Sequence, residues 1–264
     1  MNEDALYNKI GSEYNETRRA DQFLTSRFRQ FLSPVKNENY LDAGCGTGNY
    51  TCALSSEEYQ FYGIDPSETM LEKARRRNCR VLWQNAAAEN LPFENKFFAG
   101  VIASLTIHHW KDLPKAFREI SRVLKNNGKF VLFTTLPEQT AGYWLTEYFP
   151  KMMNDSVSQL PSLSEIENAL TKANLKIENR ENYFVRADHE DMFLYSGKHR
   201  PELYLQAEIR RGISSFSNLA NKAEIEEGLQ YLAEDIESGK ISEVIENHKN
   251  DIGDYIFIVA GKTN

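Results

Sequence analysis

The sequence predicts an α/β protein built on a doubly wound, mostly parallel seven-stranded sheet, with an antiparallel last strand and a helical cap. From about residue 38 the pattern alternates between strands and helices, as in a parallel sheet with crossover helices. A glycine-rich turn follows the first strand. The fourth strand, FFAGVIAS, is almost entirely apolar, which is typical of a central strand covered on both faces.

Seven short apolar runs predict the strands. In order they are NYLDAG, YQFYGID, RVLWQN, FFAGVIAS, KFVLFTTL, LKIENRENYFV and YIFIVAGK. Helices are predicted between them over GNYTCALSSE, SETMLEKARRRN, DLPKAFREISRVLK and SLSEIENALTKAN. Ser67 is a good N-cap for the second of these helices. We expect the two late strands to give the sheet an antiparallel edge, with the last strand antiparallel.

The length of 264 residues fits one domain with sizeable insertions. The alternating core is expected at about 36–136, 162–186 and 252–262. The segments 1–35, 137–161 and 188–251 fall outside this pattern and are predicted to form the cap. Within the last of them, AEIEEGLQYLAEDIE has the spacing of an amphipathic helix.

Composition and charge exclude several classes of function. The net charge of -7 argues against a nucleic-acid or anionic-membrane surface, since both need clustered Lys and Arg. No apolar run approaches the roughly 20 residues of a membrane span, and the first ten residues do not resemble a signal peptide. Three cysteines without metal or redox spacing favour reduced thiols, a cytoplasmic location and no metal site.

The stretch LDAGCGTGNY indicates a nucleotide-type ligand but fits neither common glycine motif. A phosphate-binding loop would need Lys after Gly48, and a dinucleotide loop would need a third glycine where Asn49 stands. Asp65 ends the second strand, where an acid accepts hydrogen bonds from ribose hydroxyls. S-adenosylmethionine fits, because it has a ribose, no phosphate, and a cationic end that suits Asp42.

Four ordered motifs strengthen this interpretation. LDAGCGTG, GIDPSETML, AAAENLPF and IASLTIHHW together resemble the class I S-adenosylmethionine-dependent methyltransferases, in particular the ubiquinone/menaquinone-biosynthesis and trans-aconitate group. The resemblance covers roughly residues 5 to 135. It departs at Ala87 and Ala99, where the family usually has Asp, and the first change concerns adenine recognition.

The resemblance, together with the charge argument for Asp42, implies the cofactor contacts. The expected contacts are Arg18, Asp42, Gly44, Cys45, Gly46, Asp65, Pro66, Met70, Ala88, Glu89 and Ser104. Among them, Arg18 would meet the cofactor carboxylate and Ser104 would lie beneath the methionine part. A reactive-thiol role for Cys45 is also conceivable, but a small residue in a crowded turn is the plainer interpretation.

Candidate catalytic and substrate residues come from the segments around this site. His108 and His109 follow the fourth strand and are candidate general bases, although packing or simple exposure would also explain them. Substrate contacts are predicted at Tyr14, Trp144, Tyr148 and Arg210. Ordinary packing is an alternative for the aromatic residues, and a salt bridge with Glu202 or Glu208 is an alternative for Arg210.

The predicted function is S-adenosylmethionine-dependent methyl transfer to a small organic molecule, with S-adenosylhomocysteine as product. The NPPY-type sequence of nucleobase methyltransferases is absent, which also counts against nucleic acid as a substrate. Two alternatives remain: a non-catalytic cofactor-binding module, and a NAD-dependent oxidoreductase. The second would be expected to show Tyr-x-x-x-Lys if it were of the short-chain kind, and no Tyr in the chain is followed by that pattern.

Overall fold

The computed structural model describes residues 18–262, which form a seven-stranded sheet with helices on both faces. The strand order is β3-β2-β1-β4-β5-β7-β6, and β7 runs antiparallel to both of its neighbours. The strands are β1 (Asn39–Ala43), β2 (Gln60–Asp65), β3 (Val81–Asn85), β4 (Phe98–Ser104), β5 (Leu124–Thr134), β6 (Leu175–Tyr183) and β7 (Tyr255–Lys262). The predicted fold class is confirmed.

The predicted antiparallel last strand is confirmed, and the structure adds its place in the sheet. Strand β7 lies between β5 and β6 and leaves β6 outermost. The burial of β7 explains this position, because all of its residues from Tyr255 to Gly261 are buried. A strand with both faces covered and both edges paired belongs inside a sheet.

The helices follow the predicted pattern closely within the alternating core. They are α1 (Gln22–Leu32), α2 (Asn49–Leu54), α3 (Glu68–Arg75), α4 (Leu113–Val123), α5 (Pro137–Ala141), α6 (Pro150–Ser158), α7 (Leu163–Lys172), α8 (Ala207–Arg211), α9 (Ser214–Asn218), α10 (Lys222–Ser238) and α11 (Ile241–Asn247). Ser67 caps α3 by accepting a hydrogen bond from the Met70 amide, as predicted. None of the helices in residues 18–262 is long and apolar enough to cross a bilayer.

Two hydrophobic clusters cover the faces of the sheet. Alternate strand residues contribute to each, so that Val131 joins one cluster and Leu132 the other. On the first face, Phe28 of α1 packs edge-on against Phe133 and Phe257 at centroid distances of 6.1 and 5.2 Å. Helix α1 therefore packs on the scaffold, although the sequence assigned its segment to the cap.

The cap is formed by α5 and α6 after β5 and by α8 to α11 after β6, and it packs over the first face. Trp144 lies in a short 3₁₀ helix between α5 and α6 and is 2% exposed. Tyr204, in a second 3₁₀ helix, meets Trp144 edge-on at 5.7 Å. These contacts hold the two cap segments together above the carboxyl ends of the strands.

Candidate active site

A cavity of about 600 Å³ lies at the carboxyl ends of β1, β2, β4 and β5, beneath the cap. Its volume is within the range of roughly 300–1,000 Å³ found for small-molecule sites. Its lining residues fall into two sets along the chain: those up to Lys111, called here the scaffold half, and those from Thr135 onward, called the cap half. The position matches the ligand crevice of doubly wound folds.

The glycine loop after β1 has the backbone geometry of a ligand cradle. Gly44, Gly46 and Gly48 have φ values of 80°, 53° and 77°, which favour glycine. A Cβ on Gly44 would lie 2.1 Å from the Thr106 Oγ1. A Cβ on Gly46 would meet nothing within 4 Å, because that residue faces the open cavity. The loop thus leaves room for a ligand to approach its backbone.

Asp65 at the end of β2 holds the loop in place. Its Oδ2 accepts a hydrogen bond from the Gly46 amide and its Oδ1 accepts one from the Ser67 amide, both at 2.9 Å. Burial raises the pKa of Asp65 to about 6. Because each carboxylate oxygen has more than one lone pair, both oxygens can still accept from a diol.

Asp42, in β1 just before the loop, has a carboxylate oxygen that accepts no hydrogen bond from the described residues. Its Oδ2 accepts from the Thr51 hydroxyl at 2.6 Å, while its Oδ1 is buried without a partner among the described residues. Burial, reinforced by Asp65, raises the pKa of Asp42 to about 7. Thr47 Oγ1 is likewise buried and unpartnered within residues 18–262. Orphaned polar atoms in a cavity wall indicate a ligand that satisfies them.

The predicted adenine side of the cavity is mainly apolar. Pro66, Met70 and Ala88 line it, and Met70 is 2% exposed. Glu89 also lines the cavity, but its Oε1 accepts hydrogen bonds from the amides of Lys111 and Asp112 at 2.7 and 3.3 Å. Glu89 therefore fixes the segment that leads into α4, and Ala87 contributes only a methyl group to the wall.

The two histidines lie in the cavity wall in a short 3₁₀ helix, Ile107–His109. Their rings are 3.9 Å apart, and the Nδ1 of His108 is buried without a partner among the described residues. Burial lowers the pKa of His108 to about 4. Burial, together with His108, lowers the pKa of His109 well below its usual value. Both rings are consequently neutral near pH 7 and can accept hydrogen bonds.

Arg18 lines the cavity beside a buried carboxylate that the sequence did not reveal. Its guanidinium makes a two-point contact with Asp191, with Nη2 to Oδ2 at 3.1 Å. The Tyr50 hydroxyl donates to the same Asp191 at 3.1 Å. Asp191 and Tyr50 thus fix Arg18 at the cavity, whereas Tyr14 lies outside the described residues. No sequence pattern marked Asp191, which follows β6 in an irregular stretch.

The cysteines differ from the prediction of three reduced thiols. Cys52 and Cys79 form a disulfide, with Cα atoms 5.5 Å apart. The prediction is wrong because residues 27 apart in sequence are brought together where the segment between α3 and β3, which holds Cys79, meets Cys52 of α2. Cys45 is free and lines the cavity, and burial raises the pKa of its thiol well above the usual value. A protonated thiol is a poor nucleophile, which disfavours a reactive role.

Three predicted substrate contacts lie outside the cavity lining, which corrects their assignment. Trp144 is packed in the core of the cap, and Tyr148 donates its hydroxyl to Asp235 at 2.8 Å. Arg210 turns toward the backbone carbonyl of Tyr204, 2.5 Å from its Nη1. The side chains that line the cap half lie elsewhere, on the loop after β5, on α6, α9 and around Phe193.

Comparison with known proteins is consistent with this geometry. The family model "Methyltransferase domain" matches residues 41–132. A crystal structure of a putative methyltransferase from an antibiotic biosynthesis pathway of Anabaena variabilis is 34% identical, covers 95% of this chain and 100% of its own, and superposes with a TM-score of 0.83. A doubly wound fold with this cavity and these relatives defines a methyltransferase.

Two curated relatives match over part of their length. A demethylmenaquinone methyltransferase from Clavibacter sepedonicus is 32% identical over 50% of this chain and 58% of its own. A malonyl-[acyl-carrier protein] O-methyltransferase from Erwinia pyrifoliae is 31% identical over 51% of each chain. The chain therefore spans about half the length of these curated relatives. With the full-length structural relative, they show that the chain belongs to the S-adenosylmethionine-dependent methyltransferase family.

Proposed function

We propose that this protein binds S-adenosylmethionine in the scaffold half of the cavity and transfers its methyl group to a small organic molecule in the cap half. The observation that carries the proposal is the orphaned Oδ1 of Asp42 in a cavity that Gly46 also lines with bare backbone. A buried acceptor and a bare backbone in one cavity suit a ligand with a cationic amino group and no phosphate. Family membership supports the same conclusion.

The residues present fit this cofactor. Asp42 and Thr47 would meet its amino acid end, Asp65 its ribose, and Pro66, Met70 and Ala88 its adenine. When bound, the cofactor supplies an electrophilic methyl group on a sulfonium, which needs little activation. The work of the protein is then to position the acceptor in line with that group and to exclude water.

His108 is the candidate for contact with the attacking atom. Its neutral ring presents a buried, unpartnered Nδ1 in the cavity wall, which can accept a hydrogen bond or a proton from the acceptor. This nitrogen favours an enzyme over a non-catalytic binding module, which would have no use for it. A role for His109 remains a prediction, since its ring already has partners in the structure.

Calorimetric titration tests the cofactor assignment. We expect micromolar binding of S-adenosylmethionine and S-adenosylhomocysteine and no binding of NAD. Asp65→Ala should weaken binding at least tenfold, because it removes the ribose contact and frees the loop. Asp188→Ala, which removes an exposed carboxylate paired with Arg186, is the control and should leave the affinity unchanged. Binding of NAD in preference would support the oxidoreductase alternative.

The same preparation tests His108. His108→Ala should keep the cofactor affinity within about threefold and slow methyl transfer to a bound acceptor by roughly 100-fold, the usual contribution of a positioned acid–base group. Unchanged turnover would remove His108 from the mechanism.

The cytoplasmic location stays a prediction. The Cys52–Cys79 disulfide removes the reduced-thiol argument on which it partly depended.

A further inference from the structure

We infer that the methyl acceptor is an uncharged, largely apolar molecule, and not a carboxylate or a phosphate. The inference rests on the proposed function, because it assigns the cap half of the cavity to the acceptor. It concerns the chemical class of that molecule, which neither the fold nor family membership specifies.

The cap half of the cavity has no charged wall within the described residues. Thirteen residues from Thr135 onward line it, and none is Asp, Glu, Lys, Arg or His. Six are apolar or aromatic: Leu160, Phe193, Leu194, Ile213, Leu219 and Tyr255. The other seven carry only hydroxyl or amide groups. An anion placed here would lose its hydration without gaining a cationic partner, which strongly disfavours binding.

The charged groups behind this wall are already paired. Asp254 accepts hydrogen bonds from the Lys198 ammonium at 2.7 and 2.8 Å, and Asp191 holds Arg18. Arg210, which the sequence suggested as an anchor for a substrate anion, is bound to a backbone carbonyl. No described cation therefore points into this half of the cavity to receive a negative charge.

Some of the buried hydroxyl groups have committed their protons. Thr135 donates to the carbonyl of Asp254 at 2.9 Å, so the 3.1 Å contact between the two threonine hydroxyls is made by Thr140 donating to Thr135. Ser156 donates its one proton either to the Met152 carbonyl or to the Ser215 hydroxyl, both at 2.9 Å. No hydrogen bond among the described residues uses the hydroxyl proton of Ser214, Ser215 or Tyr255.

The cap half therefore offers a ligand both hydroxyl donors and lone pairs, all of them on uncharged groups. A carboxylate or phosphate would meet neutral hydroxyls without a cationic partner, while a neutral polar group would find either a donor or an acceptor. The two amide side chains lie toward the outside, since Gln159 is exposed and Asn218 is half-buried. The cap half thus favours a neutral molecule with a largely apolar body.

The test compares matched pairs of probes on protein saturated with S-adenosylhomocysteine. Each pair shares one ring and differs in charge: ethyl 4-hydroxybenzoate against 4-hydroxybenzoate, and 2-naphthol against 2-naphthoate. Binding is measured by calorimetry and by saturation-transfer NMR. We expect the neutral member of each pair to bind at least tenfold more tightly. Equal or tighter binding of the carboxylates, or binding of neither member, would overturn the inference.

A charge-reversal variant makes the test independent of probe shape. Leu160→Arg places a cation in the cap half and should shift the preference toward the carboxylates by at least tenfold. Val157→Arg adds the same charge nearby, at a residue outside the cavity lining. This control should keep the wild-type preference for the neutral probes. No shift with Leu160→Arg would contradict the inference.

The titration with S-adenosylhomocysteine is performed first, and for every variant. If the wild type does not bind S-adenosylhomocysteine, the proposed function is refuted. Normal cofactor binding with the wrong charge preference would refute only the acceptor class.

Discussion

The carboxyl groups of Asp42 and Asp65 lie at the same end of neighbouring strands, and both have raised pKa values, of about 7 and about 6. A raised carboxyl pKa means that the folded state binds the proton more tightly than the unfolded chain. The stability from each group is therefore fully present below pH 4 and is lost as the pH rises through 6 and 7. A cationic ligand group reverses this balance, because it stabilises the ionised form of Asp42.

The raised pKa of Asp42 predicts how cofactor binding depends on pH. Below pH 7 the cofactor must displace a proton from Asp42, so we expect its affinity to rise about 50-fold between pH 5 and pH 7. Calorimetry at pH 6 in buffers of different ionisation enthalpy should detect proton release on binding. Asp42→Asn should bind the cofactor weakly, with an affinity that changes little with pH, and should release fewer protons on binding. Identical profiles for the two proteins would contradict the assignment.

Ionised Asp42 lowers the stability of the unliganded protein, although cofactor binding is expected to need this ionised form. Without ligand at pH 8, Asp42→Asn should be more stable than the wild type by roughly 1–3 kcal/mol, since it removes a buried charge. Chemical denaturation at pH 5 serves as the control, because there the difference should shrink as the wild-type carboxyl becomes protonated.

At the residue scale, the sequence predicted those side chains whose partners are close along the chain. Gly44, Gly46 and Asp65 could be assigned because the loop and the next strand end are separated by one helix. Asp191 could not, because Tyr50 meets it across 141 residues and Arg18 across 173. Arg210 was assigned wrongly since a cluster of charges does not indicate which side chain turns to a backbone carbonyl.

At the scale of elements, the contact of α10 with the cap depends on one glycine. Gly228 lies in the middle of α10, where a Cβ would be 2.3 Å from the Tyr148 carbonyl oxygen and 2.6 Å from the Phe149 ring. Helix α10 can approach the backbone after the Trp144 3₁₀ helix only because that position has no side chain. The amphipathic pattern predicted the helix, but not which of its residues makes the closest contact.

Gly228→Ala should therefore destabilise the protein, although alanine favours helix formation by about 1 kcal/mol. The overpacking costs roughly 1–3 kcal/mol, so we expect a net loss of about 1 kcal/mol or more in urea unfolding. Glu227→Ala on the exposed side of the same helix is the control and should change stability by less than about 0.5 kcal/mol. A more stable Gly228→Ala protein would show that α10 moves away easily.

The order of the strands in the sheet could be predicted only in part from the sequence. Short apolar runs located all seven strands, and alternation with helices indicated the parallel ones. The position of β7 depends on which strand edges remain open after the others have paired, and no local pattern contains that information. The antiparallel direction was predicted correctly, and the place of β7 between β5 and β6 is supplied by the structure.

At the scale of the whole molecule, cap and scaffold share one hydrophobic cluster. It joins Phe28 and Phe133 of the scaffold to Trp144, Phe149 and Tyr204 of the cap. A cap without a core of its own cannot remain folded when the sheet unfolds. This arrangement supports the prediction of a single domain.

Urea unfolding tests this cooperativity. We expect far-UV circular dichroism and tryptophan fluorescence to give one coincident transition, since Trp144 reports on the cap and Trp83 on the scaffold. S-adenosylhomocysteine at 100 times its Kd should stabilise both signals together by about 2.7 kcal/mol. Separate transitions, or a ligand shift in only one signal, would show that the cap unfolds independently.

The place of β7 also bears on how the chain is made. Among the strands of residues 18–262, β6 pairs only with β7, which is synthesised about 70 residues later. Until residues 255–262 leave the ribosome, β6 has no partner strand and β5 keeps an open edge, on which any extended peptide can pair. A nascent chain stopped before residue 255 is thus exposed to aggregation however well its cofactor loop is formed. Shielding of that edge by a chaperone would matter most in the interval before the final strand arrives.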